Sequence, residues 1–194
     1  MFAPVLISPP ATTPVSVADV KKHLRIDHSD DDDMLKLLLG TAVAYLDGWN
    51  GILGRCLVEQ VWRQDFAEVC GELCFRLVPV RSVVEVRAKL DGADYVVPPE
   101  QYEVVTDSTD AVTVRLLDTS GLSGPVSVTC KVGYPFVPAD GDVAEVIDVP
   151  DQIKSAIILH VRMHYDPMSP EMLSATRRSF DSLTAPYTRM AGGV

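Results

Sequence analysis

The sequence predicts an α+β protein: a small helical bundle, built from N-terminal helices and one C-terminal helix, with an inserted antiparallel β domain and an extended C-terminal tail. Three observations predict it. Apolar residues recur at helical spacing near both ends of the chain, while alternation with a period of two fills the stretch between them. The 194 residues are 47% apolar and 23% charged, enough for one sizeable core and too apolar for a disordered chain. The predicted organisation is an extended Pro-rich arm over residues 1–15, a single domain over 16–166 and a tail over 167–194. Helices are expected over about 16–27, 30–53 and 150–166, and the β region over about 57–132.

The arm carries Pro4, Pro9, Pro10 and Pro14, a density that excludes a helix or a central strand. Ser16-Val17-Ala18-Asp19 has the spacing of a capping box, opening a short helix with Val17, Val20 and Leu24 inward. The acidic run Asp30 to Asp33 suits the positive end of a second helix dipole. It lacks the spacing of an EF-hand loop, so a solvated cap is preferred to a cation site. Leu35, Leu38, Leu39, Ala42, Leu46, Trp49 and Leu53 form one face of that helix, and Gly48, Gly51 and Gly54 fray its end.

Strands are expected from Leu57 to Phe66, from Cys74 to Val78, and where Val84, Val86, Ala88 and Leu90 alternate with charged residues. Asp91-Gly92 then signals a hairpin returning through Tyr95 to Val97. Gln101 to Val105 and Val112 to Leu117 flank a polar turn. Val126, Val128, Cys130 and Val132 face one side of the last long strand, and Ser127, Thr129 and Lys131 the other. Val84, Val86, Val126, Val128 and Cys130 are expected to share one core.

Pro150 opens the last helix, in which Ile153, Ala156, Ile157, His160, Val161 and His164 share a face. Ile158 and Leu159 widen the apolar surface beyond one stripe. Such a helix must bury most of its circumference against its own sheet, another helix or another subunit, and the last option makes Ile158, Leu159 and Arg162 candidates for a subunit contact. Glu171 to Val194 mixes Arg177, Arg178 and Arg189 with Phe180 and Tyr187, while Pro167, Pro170, Pro186 and the closing glycines argue against a long regular element. Arg and aromatic residues in a broken segment fit a tail that orders on a protein partner.

Net charge is −10. Residues 150–194 hold five Lys/Arg and four Asp/Glu, leaving 12 and 23 for residues 1–149, so the body is about −11 and the end +1. An acidic body argues against a tight grip on nucleic acid, since phosphate neutralisation supplies most of that affinity. No apolar run is long enough to span a bilayer, and the N-terminus lacks the basic and apolar pattern of a signal peptide. Cys56, Cys70, Cys74 and Cys130 form no CxxC pair and are expected as reduced thiols. His160 and His164, four apart, could face one metal, but Val161 stands where a metalloprotease needs its Glu. Packed or interface histidines are preferred over that enzymatic alternative, and a monomeric β-rich binding module is a further one. There is no nucleophile elbow, P-loop or dinucleotide fingerprint, so no catalytic, cofactor or metal residue is assigned.

The order of these pieces resembles the head–tail connector (adaptor) family of long-tailed bacteriophages and phage-derived particles such as gene transfer agents. The resemblance covers about residues 9–166, leaving the tail outside it, and is carried by the Pro-rich start and then Val17-x-x-Val20-Lys21-x-x-Leu24-Arg25-Ile26-Asp27. Leu35, Leu38 and Ala42 follow, then Leu57-x-x-Gln60-x-Trp62 and Pro79-Val80-x-Ser82-Val83-x-x-Val86. Leu90-Asp91-Gly92, Tyr102, Gly133-Tyr134, Pro150-x-x-Ile153-Lys154-x-Ala156-Ile157-x-Leu159 and His164-Tyr165 complete it. Two departures are visible: Asp166-Pro167 stands where the family often has an Arg, and the loop from Phe136 to Val149 is longer than usual. The resemblance implies a structural, non-enzymatic subunit with no cofactor. It implies a ring, usually of twelve copies, in the neck at the portal vertex of a particle assembled in the bacterial cytoplasm. The ring joins the portal to the next neck or stopper protein and leaves a channel that DNA passes without specific binding. The C-terminal segment is expected to reach the portal, which places Arg177, Arg178, Phe180, Tyr187 and Arg189 at that contact.

Overall fold

The structure, a computed structural model, describes residues 2–108, 110–137 and 146–188. Where the sequence predicts one domain over 16–166, the chain divides into two compact units. The first unit joins Met1–Ala11 to Glu59–Tyr134, and the second joins Thr12–Val58 to Pro135–Val194. The β insertion thus has its own unit, and the helices from both ends of the chain share the other.

The first unit holds strands β1 (Val5–Ser8), β2 (Gln60–Phe66), β3 (Glu72–Cys74), β4 (Val80–Leu90), β5 (Ala93–Val96), β6 (Tyr102–Thr106), β7 (Val112–Leu116) and β8 (Leu122–Val132). All pairings are antiparallel. A five-stranded sheet runs β1-β2-β8-β4-β5 and a three-stranded sheet runs β3-β7-β6. The strand with the cleanest alternation, β8, is therefore the central one, and its Val126, Val128, Cys130 and Val132 are fully buried. In one cross-strand row Val128 lies between Gln64 of β2 and Val86 of β4. Burial pushes the Cys130 thiol pKa up to about 12, so it is an inert core group. The prolines of the arm flank β1 rather than interrupt it, which is the edge position that proline tolerates.

Two β expectations need correction. Val84 is 54% exposed, because the register slips between Val83 and Glu85: Val83 faces Cys130, Glu85 faces Thr129, and Val84 is the extra residue of a bulge. Val86 and Ala88 keep the inward face. The strand expected from Cys74 to Val78 instead ends at Cys74. Phe75, Leu77 and Val78 are buried outside the named strands, which leaves the same apolar imprint in sequence as a strand. The hairpin at Asp91-Gly92 is present, and both residues take the positive φ (51° and 84°) that a tight two-residue turn requires.

The second unit holds α1 (Val17–Leu24), α2 (Asp32–Leu46), α3 (Asp151–Tyr165) and α4 (Pro170–Thr184), with a two-residue ladder between β9 (Phe136–Val137) and β10 (Val146–Ile147). The capping box at α1 is complete: Asp19 N–H donates to Ser16 Oγ at 3.1 Å, and Ser16 N–H donates to the Asp19 carboxylate at 3.4 Å. Ser16→Ala is expected to cost about 1 kcal/mol, measured as a lower denaturation midpoint; an unchanged midpoint would show that the box contributes nothing. The helix stops at Leu24 because Arg25 turns left-handed, at φ 59°.

Helix α2 ends at Leu46, earlier than the expected Leu53. Asp47 is extended there, and its Oδ1 accepts a hydrogen bond from the Leu57 N–H at 2.6 Å, which holds the chain in a loop. The larger correction is α4, a 15-residue helix where the sequence predicts an extended tail. Ser169 caps its start through the Met172 N–H, and Pro170 sits in its first turn, where no backbone donor is lost. Pro167 precedes the helix and Pro186 follows it, so the prolines bound an element that they were expected to break.

Candidate assembly surface

Helix α3 packs against α2 and α4 within its own unit. Ile153, Ala156, Ile157 and Val161 are buried, as the helical spacing requires. Its wide apolar surface was expected to mark a subunit interface, but much of that surface is covered internally by α4. Ile158, Leu159 and Arg162 are half-buried. Ile158 and Lys154 line an open cleft of about 450 Å³ with Thr12 to Ser16 and Asp19. Arg162 lies 4.0 Å from Asp166, a loose pair on one helix.

His160 and His164 belong to an aromatic cluster. Their rings stack with centroids 4.6 Å apart, and His160 also meets Tyr45 of α2 at 5.1 Å and Phe180 of α4 at 5.7 Å. His164 Nδ1 is 2.8 Å from the His160 carbonyl oxygen of the preceding turn. Among the described residues no group of three His, Cys, Asp or Glu side chains could hold a metal ion. Burial, and then the neighbouring His164, hold the His160 pKa below its ordinary value of 6.5. The unfolded chain therefore binds more protons than the folded one below that value, so this contribution to stability is present above pH 6.5 and lost as pH falls through the lower folded pKa. The melting temperature is expected to fall between pH about 7.5 and about 5, and to fall less in His160→Phe. Equal losses in both proteins would remove His160 as the cause.

The residues expected to bind a partner through the tail separate in the structure. Phe180 is 4% exposed and packs inward, so it is not a free anchor. Tyr187 is half-buried: its hydroxyl bonds Gln152 at 3.1 Å, its carbonyl accepts from Arg55 Nε at 2.9 Å, and the Arg55 guanidinium lies 6.0 Å from its ring centroid. Arg177 and Arg178 are exposed on α4. Arg189 lies outside the described residues.

Among the described residues of the helical unit, the most exposed large apolar side chain is one absent from the predicted apolar faces. Leu37, at 71%, stands on the outer face of α2, opposite the buried Leu35, Leu39, Ala42 and Leu46. Asp33, Gly40 and Ala44 share its stripe at helical spacing. The signal was available, since a leucine and a glycine on the face away from the apolar stripe do not suit a solvated helix.

Residues 14–62 match the family described as phage gp6-like head-tail connector protein. Over 99% of this chain and 99% of the other, the structure superposes on a chain from the "Neck of empty GTA particle computed with C6 symmetry", with a TM-score of 0.70 and 17% identity. The fold is that of a gene transfer agent neck protein. A chain from the "Virion of native gene transfer agent (GTA) particle" gives a TM-score of 0.69 at 17% identity, again covering 99% of both chains. One from the "Neck of native GTA particle computed with C12 symmetry" gives 0.60 at 17%, covering 97% of this chain and 99% of that one. The chain matches no curated protein. The resemblance to head–tail connectors read from the sequence is thus shared by a family match and by the neck fold.

Proposed function

We propose that the chain is a head–tail connector subunit in the neck of a phage or gene transfer agent particle. Twelve copies form a ring beneath the portal, join it to the next neck protein and leave a channel for DNA. The observation that carries this reading is the likeness to neck chains over essentially the whole length of both partners, with the family match falling on α1, α2 and the start of β2. The role is structural rather than enzymatic.

The surface chemistry supports a conduit that does not grip DNA. In the β unit several cations sit beside carboxylates. Arg63 bonds Asp65 at 3.2 Å, Arg87 bonds Glu85, Lys131 bonds Glu59 at 3.3 Å, and Arg115 bonds Glu72 at 3.0 Å and Glu103 at 3.4 Å. Such exposed pairs stabilise the fold little, but they offset the attraction of those four cations for a phosphate backbone. Portal contact falls to the outward residues of α4, with Arg178, and to the chain from Tyr187 onward.

Electron microscopy of intact particles tests the reading. Density for this chain as a ring between the portal and the next neck protein is the expected result. Its absence from the neck would overturn the assignment.

A further inference from the structure

Among the described residues, the outer stripe of α2 has no occupant within its own unit. Leu37 is at its centre, and Gly40 has open space around the position a Cβ would take, with nothing within 4 Å. A glycine inside a helix costs about 1 kcal/mol relative to alanine, and no contact among the described residues offsets that. A second helix approaching closely would use the missing side chain. The stripe begins at Asp33, whose acidic neighbours are engaged: Asp31 accepts from the Tyr165 hydroxyl at 2.7 Å, and Asp32 from Lys21 at 2.6 Å. Asp33 itself has no ion pair among the described residues.

The complementary surface lies on α4, in the C-terminal segment 150–194, which holds five Lys/Arg against four Asp/Glu. Arg177 is exposed and has no ion pair among the described residues, whereas Arg178 donates to Ser174 at 3.1 Å. One turn before Arg177 stands Leu173, 40% exposed. Leu37 follows Asp33 by four residues and Arg177 follows Leu173 by four, a step of about 6 Å along each axis. An antiparallel approach that sets Leu37 on Leu173 therefore also sets Asp33 on Arg177, and brings Gly40 opposite Pro170 at the start of α4.

We propose that the outer face of α2 packs on α4 of the next copy of this chain, with Leu37 against Leu173 and Asp33 paired with Arg177. The inference rests on the ring reading and specifies the contact that builds the ring. The two faces differ, so the contact is head-to-tail, the kind that repeats around a closed ring; a two-fold contact would stop at a dimer.

Cysteine cross-linking tests it in assembled particles, with the exposed Cys70 and Cys74 replaced by Ser. After mild oxidation, the double variant Asp33→Cys with Arg177→Cys is expected to give a ladder of multimers on a non-reducing gel, and neither single variant any ladder. Dimers from Asp33→Cys alone would indicate α2 against α2 and overturn the proposal. Rings without a ladder would overturn this pairing and leave the ring reading standing. Absence of rings from the unmodified chain would overturn both. A second arm uses charge. Arg177→Asp should abolish rings at an unchanged melting temperature, and adding Asp33→Arg should restore them; failure of the swap to restore rings counts against the pair.

Discussion

Val128→Asp is expected to unfold the β unit or leave it barely stable. Val128 is fully buried in the central strand β8, between Gln64 and Val86 on the neighbouring strands. A carboxylate there loses its water and finds no cation in its cross-strand row. The amide nitrogen of Gln64 already donates to the Phe2 carbonyl at 2.6 Å, and its buried Oε1 is an unpaired acceptor that repels a second one. An uncompensated buried charge costs about 3–5 kcal/mol, against a total of about 5–15 kcal/mol for a typical domain. Chemical denaturation measures it. Val84→Asp is the control: Val84 is the exposed bulge residue of β4, so its replacement should stay within about 0.5 kcal/mol of the parent. Soluble Val128→Asp protein of parental stability would place Val128 outside the core, and an equal loss in Val84→Asp would place Val84 inside it.

That pair also shows where sequence pattern stops being informative. Alternation in Val126 to Val132 is legible because β8 is paired on both sides and buried on one face, so burial follows parity along the strand. Parity predicts Val84 inward equally well. Only the pairing partner reveals the extra residue at the bulge, and no local signal in Val83-Val84-Glu85 marks it. The capping box and the Asp91-Gly92 turn were legible because each is settled by a few neighbouring residues. The end of α2 was not, because the hydrogen bond that fixes Asp47 comes from Leu57, ten residues on. For the assembly surface, the exposed arginines of α4 were read from composition, and the outer stripe of α2 was missed. Attention to the buried face of an amphipathic helix hides what stands opposite it.

Truncation after Asp166 is the second large effect. With the last segment read as a broken tail, its removal would leave the fold intact. The structure reverses that expectation. Helix α4 packs on α3, with Phe180 and Thr184 buried. The Phe180 ring meets His160 at 5.7 Å and Tyr45 at 6.3 Å, tying α4 to both α3 and α2. Deleting a buried phenylalanine side chain alone costs about 3–5 kcal/mol, and truncation also removes the half-buried Leu183 and Tyr187. The helical unit should therefore lose cooperative stability, and amide exchange should accelerate along α3. The effect on tail attachment in particles then has two sources, lost portal contact and lost fold. Phe180→Ala separates them, because it weakens the packing of α4 while leaving Arg177 and Arg178 in place. Truncated protein with parental denaturation midpoint and unchanged protection along α3 would show that α4 adds nothing to the unit. Phe180 would then be free for a partner after all.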